Sequence, residues 1–421
     1  MDTLSVELDR KALTDWYRAN RHRSRELLDS VLPDAYYSRP IPLRHPFVFY
    51  DGHFPAFSFN VLHRRALKNP SIDKTLEDLF ERGIDPRDVD AASELVRADW
   101  PECEAVNRFA AACDAAVLAD LRTAQLEDRA NPLLAGAEAV FNILEHEEMH
   151  HETLTYLIHQ LDLESKRGPS PDEPDVMPPT EHDTIAIPAG TATLGKRRGE
   201  GFGWDNEFEQ TVVDVGAFTI DRHNVTNGHY LAFVRDGGTV PPFWKRERGD
   251  WRLRTVYDEI PLPLSWPVYV THEQAAAFAA WAGGRLPSEA EYHRAAYGTP
   301  EGTERPYPWG DDAPSERHGN FGFARFDPQP IGSWPEGASA FGVEELVGNG
   351  WEWTSTPFAP FAGFAPMASY PQYSADFFDG KHYILKGASP VTSVNLIRRS
   401  FRNWFYEDYP YMYATFRCVY D

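Results

Sequence analysis

Gly168-Pro169-Ser170-Pro171-Asp172-Glu173-Pro174, followed at once by Pro178-Pro179, is the stretch that decides how this chain must fold. Proline fixes φ and has no N–H, so a charged run this rich in it can neither continue a helix nor join a sheet. It reads as a linker over residues 168–181, dividing the chain into residues 1–167 and 182–421. On its N-terminal side, leucines and alanines recur at helical spacing through 13–31, 57–66, 72–82, 105–122 and 135–163, and glycine is sparse. Amphipathic helices joined by short loops pack as a bundle, whose interior commonly holds metal sites built from facing side chains. On the C-terminal side glycines and aromatic residues become frequent. Short strand-like runs at 183–187, 211–215 and 383–386 alternate with turns, and helices interrupt them near 271–281 and 288–296. The expected architecture is α followed by α+β, with much irregular structure in the second half.

Composition narrows the function classes. The 421 residues include 41 basic and 64 acidic side chains, a formal charge of −23 without a basic run. Such a chain is a poor partner for nucleic acid or an anionic membrane. The three cysteines, Cys103, Cys113 and Cys418, are too few and too scattered for a disulfide framework and fit a reducing compartment. No basic-then-apolar leader opens the chain, and no apolar run approaches the ~20 residues of a spanning helix. A soluble, cytoplasmic protein is the expectation.

Chemistry concentrates in His146-Glu147-Glu148-Met149-His150-His151-Glu152, inside the last helical run. His146 and His150 are four apart, so they project from one helical face and can share a metal. As H-E-x-x-H the heptad is a zinc-hydrolase signature with Glu147 as general base. The extended form of that motif wants glycine and histidine where Thr153 and Tyr156 stand, and fails. As H-x-x-x-H-x-E it offers two ligands of a mononuclear Fe(II) site, with Glu152 behind them accepting an imidazole N–H. A third ligand is needed, and His45 and His53 are candidates. His53 is preferred, because it follows Gly52 and sits among aromatic residues, whereas His45 precedes a proline. Three neutral imidazoles on Fe(II) leave positions open for O2 and substrates.

The second half carries wording of its own. Gly283-Gly284-Arg285-Leu286-Pro287-Ser288-Glu289-Ala290-Glu291-Tyr292, Tyr307-Pro308-Trp309-Gly310-Asp311 and Gly348-Asn349-Gly350-Trp351-Glu352-Trp353-Thr354 follow in order. Ser288 is a good N-cap with Glu291 at the capping-box position. The three segments resemble the formylglycine-generating-enzyme-like domain, a variant of the C-type-lectin fold. Gly350 stands where that family usually has valine, which should loosen packing, and the oxidising cysteine pair of the formylglycine enzymes is absent.

A DinB-like helical bundle with Gly-His at 52–53 and H-x-x-x-H-x-E at 146–152, followed by such a domain, resembles the non-haem iron sulfoxide synthases of ergothioneine, ovothiol and selenoneine biosynthesis. The resemblance implies His53, His146 and His150 as iron ligands and O2 as co-substrate. The substrates it implies are hercynine and a selenosugar or thiol, joined through a new C–Se or C–S bond at the imidazole carbon. It also places the substrate near Arg402-Asn403-Trp404-Phe405, similar to the family's R-N-F-F segment. Independently of the family, a trimethylammonium offers no N–H and is best recognised by aromatic faces such as Trp404 and Phe405, while Asn403 can bond a carboxylate or imidazole.

Leu79 to Asp85 and Asp99-Trp100-Pro101 resemble the ovothiol and selenoneine branches, and Arg402-Asn403-Trp404-Phe405 leans to hercynine over histidine. Three features depart from the hercynine sulfoxide synthases, and the branch is read by elimination. Met149 replaces the glutamine that usually precedes the second helical histidine. Leu79-Phe80-Glu81-Arg82-Gly83-Ile84-Asp85-Pro86 lacks the paired tyrosines and arginine of a loop used for γ-glutamylcysteine. Phe361, in Pro360-Phe361-Ala362-Gly363-Phe364, stands where some members carry a catalytic tyrosine. Other proton donors are then Tyr50, Tyr370, Tyr373 or Tyr383. The methyltransferase domain of ovothiol synthases has no room in 421 residues. The resemblance thus leans to selenoneine synthase, with a hercynine sulfoxide synthase using cysteine or γ-glutamylcysteine as the alternative. A zinc hydrolase and a non-catalytic metal-binding scaffold remain behind these.

Overall fold

The computed structural model describes residues 8–81, 100–171 and 183–421. It forms two compact units, Met1–Gly168 with Ala368–Tyr370, and Pro169–Met367 with Pro371–Asp421. Most of the linker, residues 82–86 of the departing loop, and Asp99 lie outside the described residues. The sequence reading had left 368–370 in the second domain. The structure packs this segment with the helices, because Ser369 hydrogen-bonds to Glu138 and Asn142.

Unit 1 contains α1 (Arg10–Asp29), α2 (Phe47–Ser58), α3 (Lys74–Phe80), α4 (Cys103–Thr123) and α5 (Glu138–Gln160). Asp9 and Asp73 cap α1 and α3 by accepting backbone N–H groups of the first turn. Helix α2 went unread in the sequence for a physical reason. All of its residues are buried, so it has no polar face and no 3.6-residue stripe to detect. Pro55 sits inside it, and directly after it the helix widens into a π-helical stretch over Phe59–Ala66, a form concentrated at functional sites. Helix α2 packs on α4 and α5, and α1 packs on α4 and α5. No described helix is long and apolar enough to cross a membrane.

Unit 2 opens with β1 (Thr184–Ile187), β2 (Gly190–Leu194), β3 (Thr211–Val215), β4 (Phe218–Asp221) and α6 (Asn227–Arg235). A three-stranded meander of β5 (Trp244–Glu247), β6 (Asp250–Arg254) and β7 (Glu259–Pro261) precedes α7 (His272–Trp281) and α8 (Glu289–Tyr297). The chain ends with β8 (Gly350–Pro357), β9 (His382–Ala388), β10 (Asn403–Tyr406), β11 (Ala414–Thr415) and β12 (Val419–Tyr420). The four-stranded sheet runs β10-β9-β8-β11, with only β8 and β11 parallel. The box at Ser288 is present: its hydroxyl accepts from Glu291 N–H, and the Glu291 carboxylate accepts from Ser288 N–H.

The W-E-W-T words are architectural. Trp353 is fully buried and donates its indole N–H to Val270, and Glu352 forms a fully buried two-bond ion pair with Arg417. Gly350 does not loosen this region. A Cβ there would lie 2.9 Å from Thr415 Cγ2 and 2.9 Å from the Tyr269 ring, because that ring fills the space a valine would take.

Candidate metal centre

His53 comes from α2, and His146 and His150 from α5. One ring nitrogen of each lies within 4.8 Å of the others, the one such grouping of possible ligands among the described residues. The Nε2 atoms of His146 and His150 are 3.0 Å apart. Nδ1–H of His53 donates to the Phe80 carbonyl at 2.6 Å, which fixes the tautomer and leaves Nε2 with its lone pair and no hydrogen bond. Gly52 makes this contact possible. A Cβ at that position would meet the Phe80 ring at 2.4 Å, so only glycine lets the end of α3 come close enough.

Burial keeps all three imidazoles neutral. It pushes His53 down to about 4 and His146 and His150 well below their ordinary value, with the neighbouring histidines adding to the shift. Neutral imidazole is the metal-binding form, and a cation would satisfy the orphaned Nε2 of His53, so the residues present fit a metal ion. Aromatic rings wall the cluster. Phe57 stacks on His146 with centroids 3.4 Å apart, Phe49 on His53 at 4.8 Å, and Phe54 lies 5.6 Å from His150.

The other residues of the heptad face elsewhere. Glu147 is turned toward α1, where it accepts from Arg21 at 2.7 Å and Ser24 at 2.6 Å. One residue after His146 means about 100° around the helix, so its carboxylate cannot serve as the zinc-hydrolase base. Ser24 also bonds His151, and Asp114 joins through Arg21 and Tyr17, a polar network that ties α1 to α4 and α5. Glu152 does not hold a ligand ring as expected: the Nδ1 atoms of His146 and His150 make no hydrogen bond, and Glu152 accepts from the Tyr156 hydroxyl four residues on. Met149 is half-buried on α5.

Two of the tyrosines belong to unit 1. Tyr50 is fully buried with its ring 6.2 Å from His150, and Tyr370 is half-buried with its ring 6.0 Å from His146 and 5.4 Å from Phe57. Tyr373 and Tyr383 belong to unit 2, stacked on Trp204 and His272.

In unit 2, Asn403, Trp404 and Phe405 lie on β10. Trp404 joins Phe358 (4.2 Å, stacked), Tyr373 (5.2 Å, edge-on) and Phe377 (5.8 Å). Phe405 turns to the other face and stacks on Tyr409, as successive strand residues must, so the two rings do not form one surface. Asn403 Oδ1 accepts from the backbone N–H of Trp404. Arg402, expected at the substrate, is a buried clamp instead. Its guanidinium pairs with Glu289 and donates to the carbonyls of Asn206 and Ala359, with the Phe361 ring against it. Sequence reasoning missed Phe57, Phe80 and Ser369. Gly52 is the signal that could have found Phe80.

The fold and the triad together define a class of two-domain protein with a buried histidine triad, able to hold a metal ion, inside a helical bundle. Residues 17–154 match the DinB superfamily and residues 171–421 match the sulfatase-modifying factor enzyme 1-like domain. A protein of Mycolicibacterium thermoresistibile named hercynine oxygenase is 33% identical over 377 residues, covering 83% of this chain and 81% of its own. A Mycobacterium tuberculosis protein of the same name is 40% identical over 241 residues, 52% of this chain and 56% of its own. Ergothioneine biosynthesis protein 1 of Neurospora crassa is 30% identical across 91% of this chain, which spans 54% of that longer protein. The chain belongs to this ergothioneine-type family of hercynine oxygenases.

Proposed function

We propose that the protein is an O2-dependent non-haem Fe(II) enzyme that forms a carbon–chalcogen bond at the imidazole carbon of hercynine, with a selenosugar as donor and selenoneine as product. The observation that carries the reading is the buried cluster of three neutral imidazoles, in a chain 33% identical to a hercynine oxygenase over most of both lengths. A ferrous ion held by His53, His146 and His150 would supply open coordination positions and the redox chemistry that triplet O2 requires. The Phe80 carbonyl orients His53, and the stacked Phe49 and Phe57 fix the ligand rings and keep water away. The Tyr370 hydroxyl takes the proton-donor role left open by Phe361, because its ring stands against His146 and is still partly exposed. Trp404 offers the trimethylammonium an aromatic face.

Leu79 to Asp85 and Asp99-Trp100-Pro101, which resemble the ovothiol and selenoneine branches, together with Arg402-Asn403-Trp404-Phe405, which leans to hercynine over histidine, favour the selenosugar branch. The names of the relatives favour the second reading, sulfoxide formation with cysteine or γ-glutamylcysteine. The test is an aerobic assay of Fe(II)-loaded protein with hercynine and each donor separately, products read by mass. Selenoneine from the selenosugar is expected. A sulfoxide from a thiol moves the protein to the second reading, and no O2 uptake with any donor leaves only a metal-binding scaffold.

A further inference from the structure

Glu138, Asn142 and His146 are spaced i, i+4, i+8 and form one stripe along α5. Residues 368–370, far away in sequence, lie along that stripe. Ser369 N–H donates to the Glu138 carboxylate at 2.8 Å, and the Asn142 amide donates to Ser369 Oγ at 2.8 Å. Backbone and side chain of one residue are therefore both pinned to the helix, and the next residue is the tyrosine whose ring stands against His146. Ser369 is buried, whereas Ala368 is exposed and Tyr370 half-exposed, so the polar anchor of the segment is Ser369 and the ring of Tyr370 follows from it.

From this geometry we infer that Ser369, with Asn142 and Glu138, is a positioning device that sets the Tyr370 phenol beside the ligand His146. The inference rests on the reading of the triad as a metal centre and goes beyond it. Simple adhesion of a loop would need only apolar contact, whereas two polar partners in a buried place fix a direction and are costly to leave unmade. Direction matters here, because a 1 Å misplacement of a reacting group can lower turnover on the order of 10²-fold.

The experiment places a single fluorine through Tyr370→3-fluorotyrosine in the full chain and titrates Co(II). In the parent the ion should bind and broaden the fluorine signal. Ser369→Ala and Asn142→Ala should each shift the signal of the metal-free protein and weaken the broadening, with Co(II) stoichiometry unchanged. In the assay, each should lower kcat by about 10- to 100-fold with little change in the KM for hercynine, and should add nothing in a Tyr370→Phe background. Ser369→Ala removes only a hydroxyl and keeps the test open should Asn142→Ala fold poorly. A fluorine signal that neither variant moves overturns the inference while leaving the triad standing. Failure of the parent to bind Co(II) overturns the triad reading and this inference with it.

Discussion

The two halves of the proposed machinery are encoded in opposite ways. In unit 1 the ligands sit on helices, in a wall of buried rings, and their chemistry follows from burial: neutral nitrogens with few alternative partners. In unit 2 the aromatic group around Trp404 sits on strands and irregular loops; Trp404, Tyr373 and Phe377 are half-exposed and pack with the buried Phe358. On the proposed reading the first needs all three ligands, and the second shares its contact with substrate among several rings. Single substitutions should therefore have all-or-none effects in one and graded effects in the other.

The sharpest break should come from His146→Ala. Two histidines would remain, His53 and His150, and two monodentate ligands hold a divalent ion poorly. Loss of an outer partner alone costs about 10- to 100-fold in metal affinity, and loss of a ligand should exceed that. Metal analysis after gel filtration should find little bound ion, while near-UV circular dichroism, dominated by the many aromatic residues of unit 2, stays close to the parent. Full metal retention would mean that the ion sits elsewhere.

Acid should have a smaller effect, and one that the two units share. Burial depresses His53 to about 4 and His151 to about 3, and holds His146 and His150 low as well, all in unit 1. In unit 2 burial likewise lowers His272 to about 4, holds His293 well below its ordinary value and lowers His223 and His318. In the unfolded chain these rings take up protons near their ordinary value of about 6.5. The stabilisation from keeping them neutral is thus complete above about pH 6.5 and is lost as the pH falls toward the folded values. Each shift of about 2.5 units is on the order of 3 kcal/mol at most. Metal-free protein should accordingly melt at progressively lower temperature from pH 6.5 to 4.5, with both units contributing. His53→Gln should flatten that slope; an unaltered slope would show that His53 is not the buried neutral group described.

How much was legible follows the same divide. The His146–His150 spacing is local and repeats at the helical period, so the sequence displayed it directly, as it did the Ser288 box. His53 could be picked out by Gly52 and its aromatic neighbours, but α2 itself could not, since a helix buried on every side shows no stripe. Glu152 was misread, and Glu147 left open as the base of the disfavoured zinc reading, because a heptad names residues without saying which way each turns; Ser24 and Arg21 on α1 decide that for Glu147. The docking of Ser369 on Asn142, across 227 residues, leaves no local mark at all. Arg402 looked like a substrate residue by its company, and only the buried Glu289 opposite it shows where its charge is spent.

The smallest predicted effect tests the graded half. Trp404 and Phe405 are neighbours in sequence but face opposite sides of β10, and only Trp404 belongs to the ring group with Tyr373, Phe358 and Phe377. An aromatic face is worth roughly 0.5–2 kcal/mol to a quaternary ammonium, or about 2- to 30-fold. Trp404→Ala should raise the KM for hercynine within that range, leave metal content unchanged, and be partly repaired by Trp404→Phe. Phe405→Ala should change KM by less than about 2-fold, since its ring is committed to Tyr409. Unmethylated histidine as a competitor supplies the control: lacking the quaternary ammonium, it should bind the parent and Trp404→Ala alike. A larger penalty from Phe405 than from Trp404 would put the substrate on the other face of β10.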